Sequence, residues 1–181
     1  MVKSSSAKKA REFALKAHRD QKYGKYPYIY HLDAVVDILD QYGQHVQIIG
    51  YLHDIIEDTE TTKSDIIKNF GKYVAECVFL TTDGPGKNRK QKKMALYKKL
   101  KESPSDHESS LIVKAADRLA NIEACIMGGR KSLLKMYKRE HLDFKDAVYR
   151  PKLCDDIWDR IEFIINTQQT NPNNQRDNPE L

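Results

Sequence analysis

Apolar residues recur at every third or fourth position along most of this chain, the spacing that lines one face of an α-helix. The pattern predicts helices over residues 7–19, 32–42, 45–57, 63–70, 73–81, 89–101, 110–127, 131–142 and 152–166. Punctuation agrees with it. Gly43 follows one segment, Thr61 or Thr62 stands where an N-cap is needed, Gly71 interrupts the stretch 63–81, and Gly128 and Gly129 close the long segment that starts at residue 110. No pair of runs alternates between apolar and polar residues as strands do, and no internal repeat is visible. The expected fold is all-α, a single compact helical bundle.

Size agrees with one domain. The chain has 181 residues, 40% hydrophobic and 31% charged, enough for one sizeable core and too little for two. Residues 1–6 read as a flexible N-terminus, 7–166 as the folded domain, and 167–181, rich in Asn, Gln, Pro and charge, as a disordered tail. No run approaches a membrane span and the first ten residues lack the apolar stretch of a signal peptide, so the expectation is a cytoplasmic protein with no membrane partner. Cys77, Cys125 and Cys154 are odd in number, widely spaced and set in apolar patterns. They read as core residues in a reducing compartment rather than a disulfide framework.

Four residues carry candidate metal chemistry: His31, the adjacent His53 and Asp54, and Asp117. His31 opens an amphipathic run after a Gly/Pro-containing loop. The His53–Asp54 doublet ends an apolar approach and is followed within about one helical turn by Glu57 and Asp58. Imidazole nitrogen with carboxylate oxygen suits Mn, Fe, Co or Zn, whereas Ca normally recruits oxygen alone. Asp117 sits in an apolar helix with Asn121 four residues later on the same face. A carboxylate there needs a partner, which a metal, Arg118 or a helix cap would each provide. Glu57 and Asp58 placed at a helix C-terminus oppose its dipole, which favours a functional reason for them.

Charge adds a second hint. The net charge is +5, and Lys87, Arg89, Lys90, Lys92, Lys93, Lys98, Lys99 and Lys101 crowd one segment. Few aromatics interleave them and no standard nucleic-acid module is present, so a small anionic substrate is favoured over nucleic acid. No P-loop, dinucleotide fingerprint or nucleophile elbow occurs. A bound divalent ion would polarise a phosphoryl oxygen and acidify water, with Glu57 or Asp58 orienting or deprotonating that water.

The order of these residues, with Pro27-Tyr28-Ile29-Tyr30-His31 first, His53-Asp54-Ile55-Ile56-Glu57-Asp58-Thr59 in the middle and Lys114-Ala115-Ala116-Asp117-Arg118-Leu119-Ala120-Asn121 last, resembles the HD-domain superfamily. More narrowly it is similar to the hydrolase domains of RelA/SpoT proteins and to small stand-alone alarmone hydrolases, over about residues 7–166. The resemblance implies an HD-domain bundle with Mn held by His31, His53, Asp54 and Asp117. It implies Glu57 and Asp58 as catalytic residues, and a nucleotide contact at Asn121. The implied reaction is removal of the 3′-pyrophosphate of (p)ppGpp, which would counter a toxic alarmone synthetase through the shared metabolite.

His18 and Gln21 match the family's His-x-x-Gln, where they order the loop. After Gln21 the family commonly has a basic pair including an arginine, which is absent here. Lys22 or Lys25 replaces its charge only, and Tyr23 offers a ring for stacking. Lys22, Tyr23 and Asn121 are therefore the expected substrate-binding residues. Tyr137 and Glu140 lie on a helix that could close the pocket, and core packing or surface solvation accounts for them equally well. Two alternatives remain: an HD phosphohydrolase of another phosphorylated nucleotide, and a non-catalytic alarmone-binding module.

Overall fold

A computed structural model describes residues 5–167; residues 1–4 and 168–181 lie outside the described residues, and with them most of the expected flexible N-terminus and tail. Ser5 and Ser6 already belong to the first helix, and Thr167 ends the last, its hydroxyl donating to the Phe163 carbonyl at 2.7 Å.

The chain runs through α1 (Ser5–His18), a short hairpin of β1 (Lys22–Tyr23) and β2 (Tyr26–Pro27), α2 (Ile29–Ile38), α3 (Gln44–Leu52), α4 (Ile55–Asp58), α5 (Lys63–Phe70), α6 (Lys72–Thr81), α7 (Arg89–Lys101), α8 (Ser109–Met127), α9 (Lys131–Val148) and α10 (Asp155–Thr167). The bundle is all-α apart from that hairpin. Helix α8 is its axis. Leu111, Val113, Ala115, Ala116, Leu119 and Ile122 are buried on different sides of it, and it packs against α2, α3, α6, α9 and α10. Enclosure reaches its polar residues too, Ser110, Lys114 and Arg118 being buried, so those need partners inside the bundle.

Small residues set the approach of the outer helices. Ala7, Ala10 and Ala14 form a fully buried stripe on α1, which lies against α3. Gly50 does the same for α3 on α2, since a Cβ there would stand 2.7 Å from Leu39 Cδ1. All three cysteines are buried and free.

Besides shifts of a few residues at the ends of α2 and α10, three departures from the periodicity stand out. The expected helix 45–57 is interrupted at His53 and Asp54, which keep right-handed helical dihedrals but separate α3 from α4. Buried Thr81 Oγ1 lies 3.0 Å from the His53 carbonyl at the break and 2.7 Å from the Val78 carbonyl, its one proton shared between them. Helix α9 continues to Val148 because Phe144, Ala147 and Val148 are buried, Phe144 packing 5.6 Å from Trp158 and 6.0 Å from Tyr97 between ring centroids. The hairpin is the third difference: strands of two residues are too short for an alternation to register. Of the two candidate caps, Thr62 starts α5, forming a capping box with Asp65.

Candidate metal centre and nucleotide pocket

The four expected donors converge from three places in the chain. His31 comes from the first turn of α2, His53 and Asp54 from the α3–α4 break, and Asp117 from the middle of α8. Their atoms form a closed ring. His31 Nε2 is 3.8 Å from Asp54 Oδ2 and 3.3 Å from Asp117 Oδ1, and His53 Nε2 is 3.0 Å and 3.6 Å from the same two oxygens. Donors about 2.1 Å from a common ion stand about 3.0–3.4 Å apart in octahedral or tetrahedral coordination. The 3.0 and 3.3 Å spacings match that range, and 3.6 and 3.8 Å lie just beyond it. His31, His53 and Asp54 form the tight group, their donor atoms all within 4.8 Å of one another.

The imidazole of His53 is prepared for that role. Its Nδ1 donates to the Gly50 carbonyl at 2.8 Å, which turns Nε2, fully buried and without a hydrogen bond of proper geometry, towards the carboxylates as the nitrogen a cation would take. An orphaned nitrogen aimed at two carboxylates, its tautomer set by a backbone carbonyl, is the arrangement of a metal ligand. Without an ion, burial would lower the His53 pKa but Asp54 and Asp117 outweigh it and hold it up to about 10, so Nε2 carries a proton that a binding cation would displace.

Each carboxylate is supported from outside the ring. Tyr28 Oη donates to Asp54 Oδ2 at 2.5 Å. Asp117 takes the ammonium of Lys114, buried on the same helix, at 2.9 Å, and the amide of Asn121 at 2.5 Å. The partner of Asp117 is thus Lys114 rather than Arg118, whose guanidinium turns away to stack on Phe144 at 4.1 Å. Burial would raise the Asp117 pKa, yet Lys114 and His31 hold it well below the usual carboxylate range. Sequence reasoning missed Lys114, although its place three residues before Asp117 was a usable signal.

A cavity of about 160 Å³ adjoins the ring and is lined by Tyr23, Glu57, Asp58, Lys93, Lys114 and Asn121 among others. Glu57 accepts the Asp83 backbone N–H at 3.0 Å, and its pKa is raised, first by desolvation and then by Asp83 and Asp54. Asp58 accepts from Gln21 Nε2 at 2.9 Å, while Gln21 Oε1 lies 2.7 Å from His18 Nδ1. His18 and Gln21 therefore reach past the loop to Asp58. Lys93 brings one charge of the basic segment inward, paired with Asp83 at 2.6 Å.

The rest of that segment is partly consumed by structure. Arg89 forks onto Glu140 at 2.8 and 3.0 Å, Lys101 pairs with Asp146, and Lys99 caps the carbonyls of Phe79 and Thr82. Desolvation lowers the Lys99 pKa to about 8. Glu140 thus clasps α7 to α9, and Tyr137 lies beneath the Arg118 guanidinium at 4.8 Å.

Of the expected substrate-binding residues, Tyr23 stacks on His31 at 4.7 Å and donates its hydroxyl to Asn121 Oδ1 at 2.8 Å. Burial, then Asp117, pushes the Tyr23 phenol up to about 12. Lys22 is exposed on the hairpin and lines neither the cavity beside the donor ring nor the larger one next to it, whereas Lys25 lines the larger.

A bundle with His31, His-Asp and Asp117 converging in this way defines a class, and the HD domain profile matches residues 10–143. The chain belongs to the HD domain family. It is 34% identical over 119 residues to the guanosine-3′,5′-bis(diphosphate) 3′-pyrophosphohydrolase of Aquifex aeolicus, covering 64% of this chain and 17% of that protein. It is 30% identical over 120 residues to human guanosine-3′,5′-bis(diphosphate) 3′-pyrophosphohydrolase MESH1, covering 62% of this chain and 65% of that one. The match therefore spans less than a fifth of the long relative and just under two thirds of the short one. A solved structure described as a metazoan ortholog of SpoT that hydrolyses ppGpp superposes with a TM-score of 0.78 at 21% identity, covering 93% of this chain and 98% of that one. Among the described residues no helix is long and apolar enough to cross a membrane.

Proposed function

We propose that this chain is a Mn-dependent hydrolase that removes the 3′-pyrophosphate of guanosine polyphosphates, releasing pyrophosphate and GDP or GTP. The observation that carries the metal chemistry is the ring of four donors around the buried, unpartnered Nε2 of His53. The named relatives supply the substrate. His31, His53, Asp54 and Asp117 would hold the ion, which when bound supplies Lewis-acid charge and an acidified water.

The chain's own residues do the rest. Glu57 is the general base: its raised pKa keeps it a competent proton acceptor near neutral pH, and the Asp83 amide holds its orientation. Asp58, set by Gln21, orients the attacking water beside Glu57, and the proton that Glu57 takes from that water is returned to the departing oxygen. Lys93 and Lys114 offset the negative charge of the phosphoryl groups. Asn121 and Tyr23, joined by their hydrogen bond, position the nucleotide across the cavity's edge, and Lys22 adds long-range charge from the hairpin. Such an enzyme acts in the cytoplasm on a soluble nucleotide pool and offsets an alarmone synthetase through the shared metabolite.

The test is product analysis after incubation with ppGpp and Mn, beside an EDTA control and a panel of other nucleotides. Metal-dependent GDP and pyrophosphate are expected. An intact ppGpp pool, with orthophosphate released from another nucleotide, would replace this reading with a general HD phosphohydrolase.

A further inference from the structure

A second cavity, of about 680 Å³, lies next to the first and shares Tyr23 and His31 with it. Its lining is largely aromatic and apolar, with Tyr26, Tyr30, Ala124 and Met127 joining Tyr23. Arg130 enters it from the turn between α8 and α9, its guanidinium 5.8 Å from the Tyr23 ring centroid. Among the described residues Arg130 has no carboxylate partner: Glu123, the carboxylate of this cavity, is held instead by Arg160 at 2.5 Å. A half-buried guanidinium beside a tyrosine, unneutralised and facing an apolar cavity, is suited to stack on a planar heterocycle.

The hairpin is built to admit it. Gly24 has φ +62°, and a Cβ on it would stand 2.2 Å from Arg130 Nη2. The turn thus lacks a side chain where the guanidinium passes. We infer that Arg130 is a specificity-determining residue: with Tyr23 it forms the wall on which the purine of the substrate lies, while the phosphates extend to the donor ring. An arginine from the far side of the cavity thereby serves where the residues after Gln21 offer none. The inference rests on the substrate being a purine nucleotide, and it concerns the base rather than the phosphates because Lys93 and Lys114 already serve the smaller cavity.

Calorimetric titration of the Mn-loaded protein with GDP and, separately, with pyrophosphate tests it, in wild type, Arg130→Ala, Arg130→Gln and Arg130→Lys. Both neutral variants should weaken GDP about tenfold and leave pyrophosphate within about twofold. Arg130→Lys should stay weak, because an ammonium lacks the stacking plane. Gly24→Ala should reproduce the same split. Unchanged GDP affinity in both neutral variants, equal losses for GDP and pyrophosphate, full rescue by lysine, or no GDP binding by wild type would each overturn the assignment. Wild-type protein that binds GDP in an Arg130-dependent way yet leaves ppGpp intact would overturn the proposed reaction and keep this one.

Discussion

The donor ring and the aromatic wall beside it are a few ångströms apart and are built on different principles. Ring atoms come from α2, the α3–α4 break and the buried axis α8 itself, and three of the four donors are hydrogen-bonded by a further group: Gly50 for His53, Tyr28 for Asp54, Lys114 and Asn121 for Asp117, while His31 is stacked by Tyr23. The wall comes from two turns, the hairpin at Gly24 and the α8–α9 junction at Arg130, whose side chains are half-buried or exposed. Chemistry that needs donors within tenths of an ångström is set in the core, where neighbours leave one arrangement. Recognition of a base tolerates more, and surface turns supply it.

The sharpest way to break this contrast is to remove a donor. His53→Ala should abolish metal binding and turnover together, read by metal analysis and pyrophosphate release; full activity in metal-free His53→Ala protein would end the metal reading. Glu57→Gln comes next, retaining metal while kcat falls by about a hundredfold to ten-thousandfold. Its pH dependence has a definite sign. The base acts unprotonated, so at saturating metal kcat of the wild type falls as pH drops through the Glu57 pKa, which desolvation raises from its ordinary value. Glu57→Gln should lose that acid limb, and a limb that persists would assign the base elsewhere.

Smaller again is Tyr28→Phe, which deletes the hydroxyl on Asp54 and should weaken metal binding about tenfold to a hundredfold, seen by competition with a chelator. The wall variants at Arg130 should have the mildest effect, about tenfold on nucleotide affinity with the metal unmoved. If instead the wall variants lost metal and Tyr28→Phe did not, the division between core-held chemistry and turn-held recognition would be wrong.

Much of the ring was legible without coordinates, because helix period and side-chain chemistry are local. His31 after its loop, the His53–Asp54 doublet and Asp117 one turn before Asn121 each announce themselves within a few residues. The wall was not legible in the same way. The arginine missing after Gln21 marks a gap, and nothing near Arg130, more than a hundred positions away, says that it fills it. Nor does periodicity show the break in the helix at His53, since Val46, Ile49 and Leu52 keep helical spacing up to the point where α3 ends.

The sequence by itself determined the helices, the donor types and the acid doublet that follows them, since each depends on neighbours along the chain. Only the tertiary structure decided which groups complete them: Thr81 capping the carbonyl at the break, Lys114 neutralising Asp117, Lys93 alone of the basic segment reaching the site, and Arg130 passing over Gly24 to Tyr23. Those choices follow from burial and close approach between distant segments. Desolvation makes each unpaired group costly until folding brings its partner.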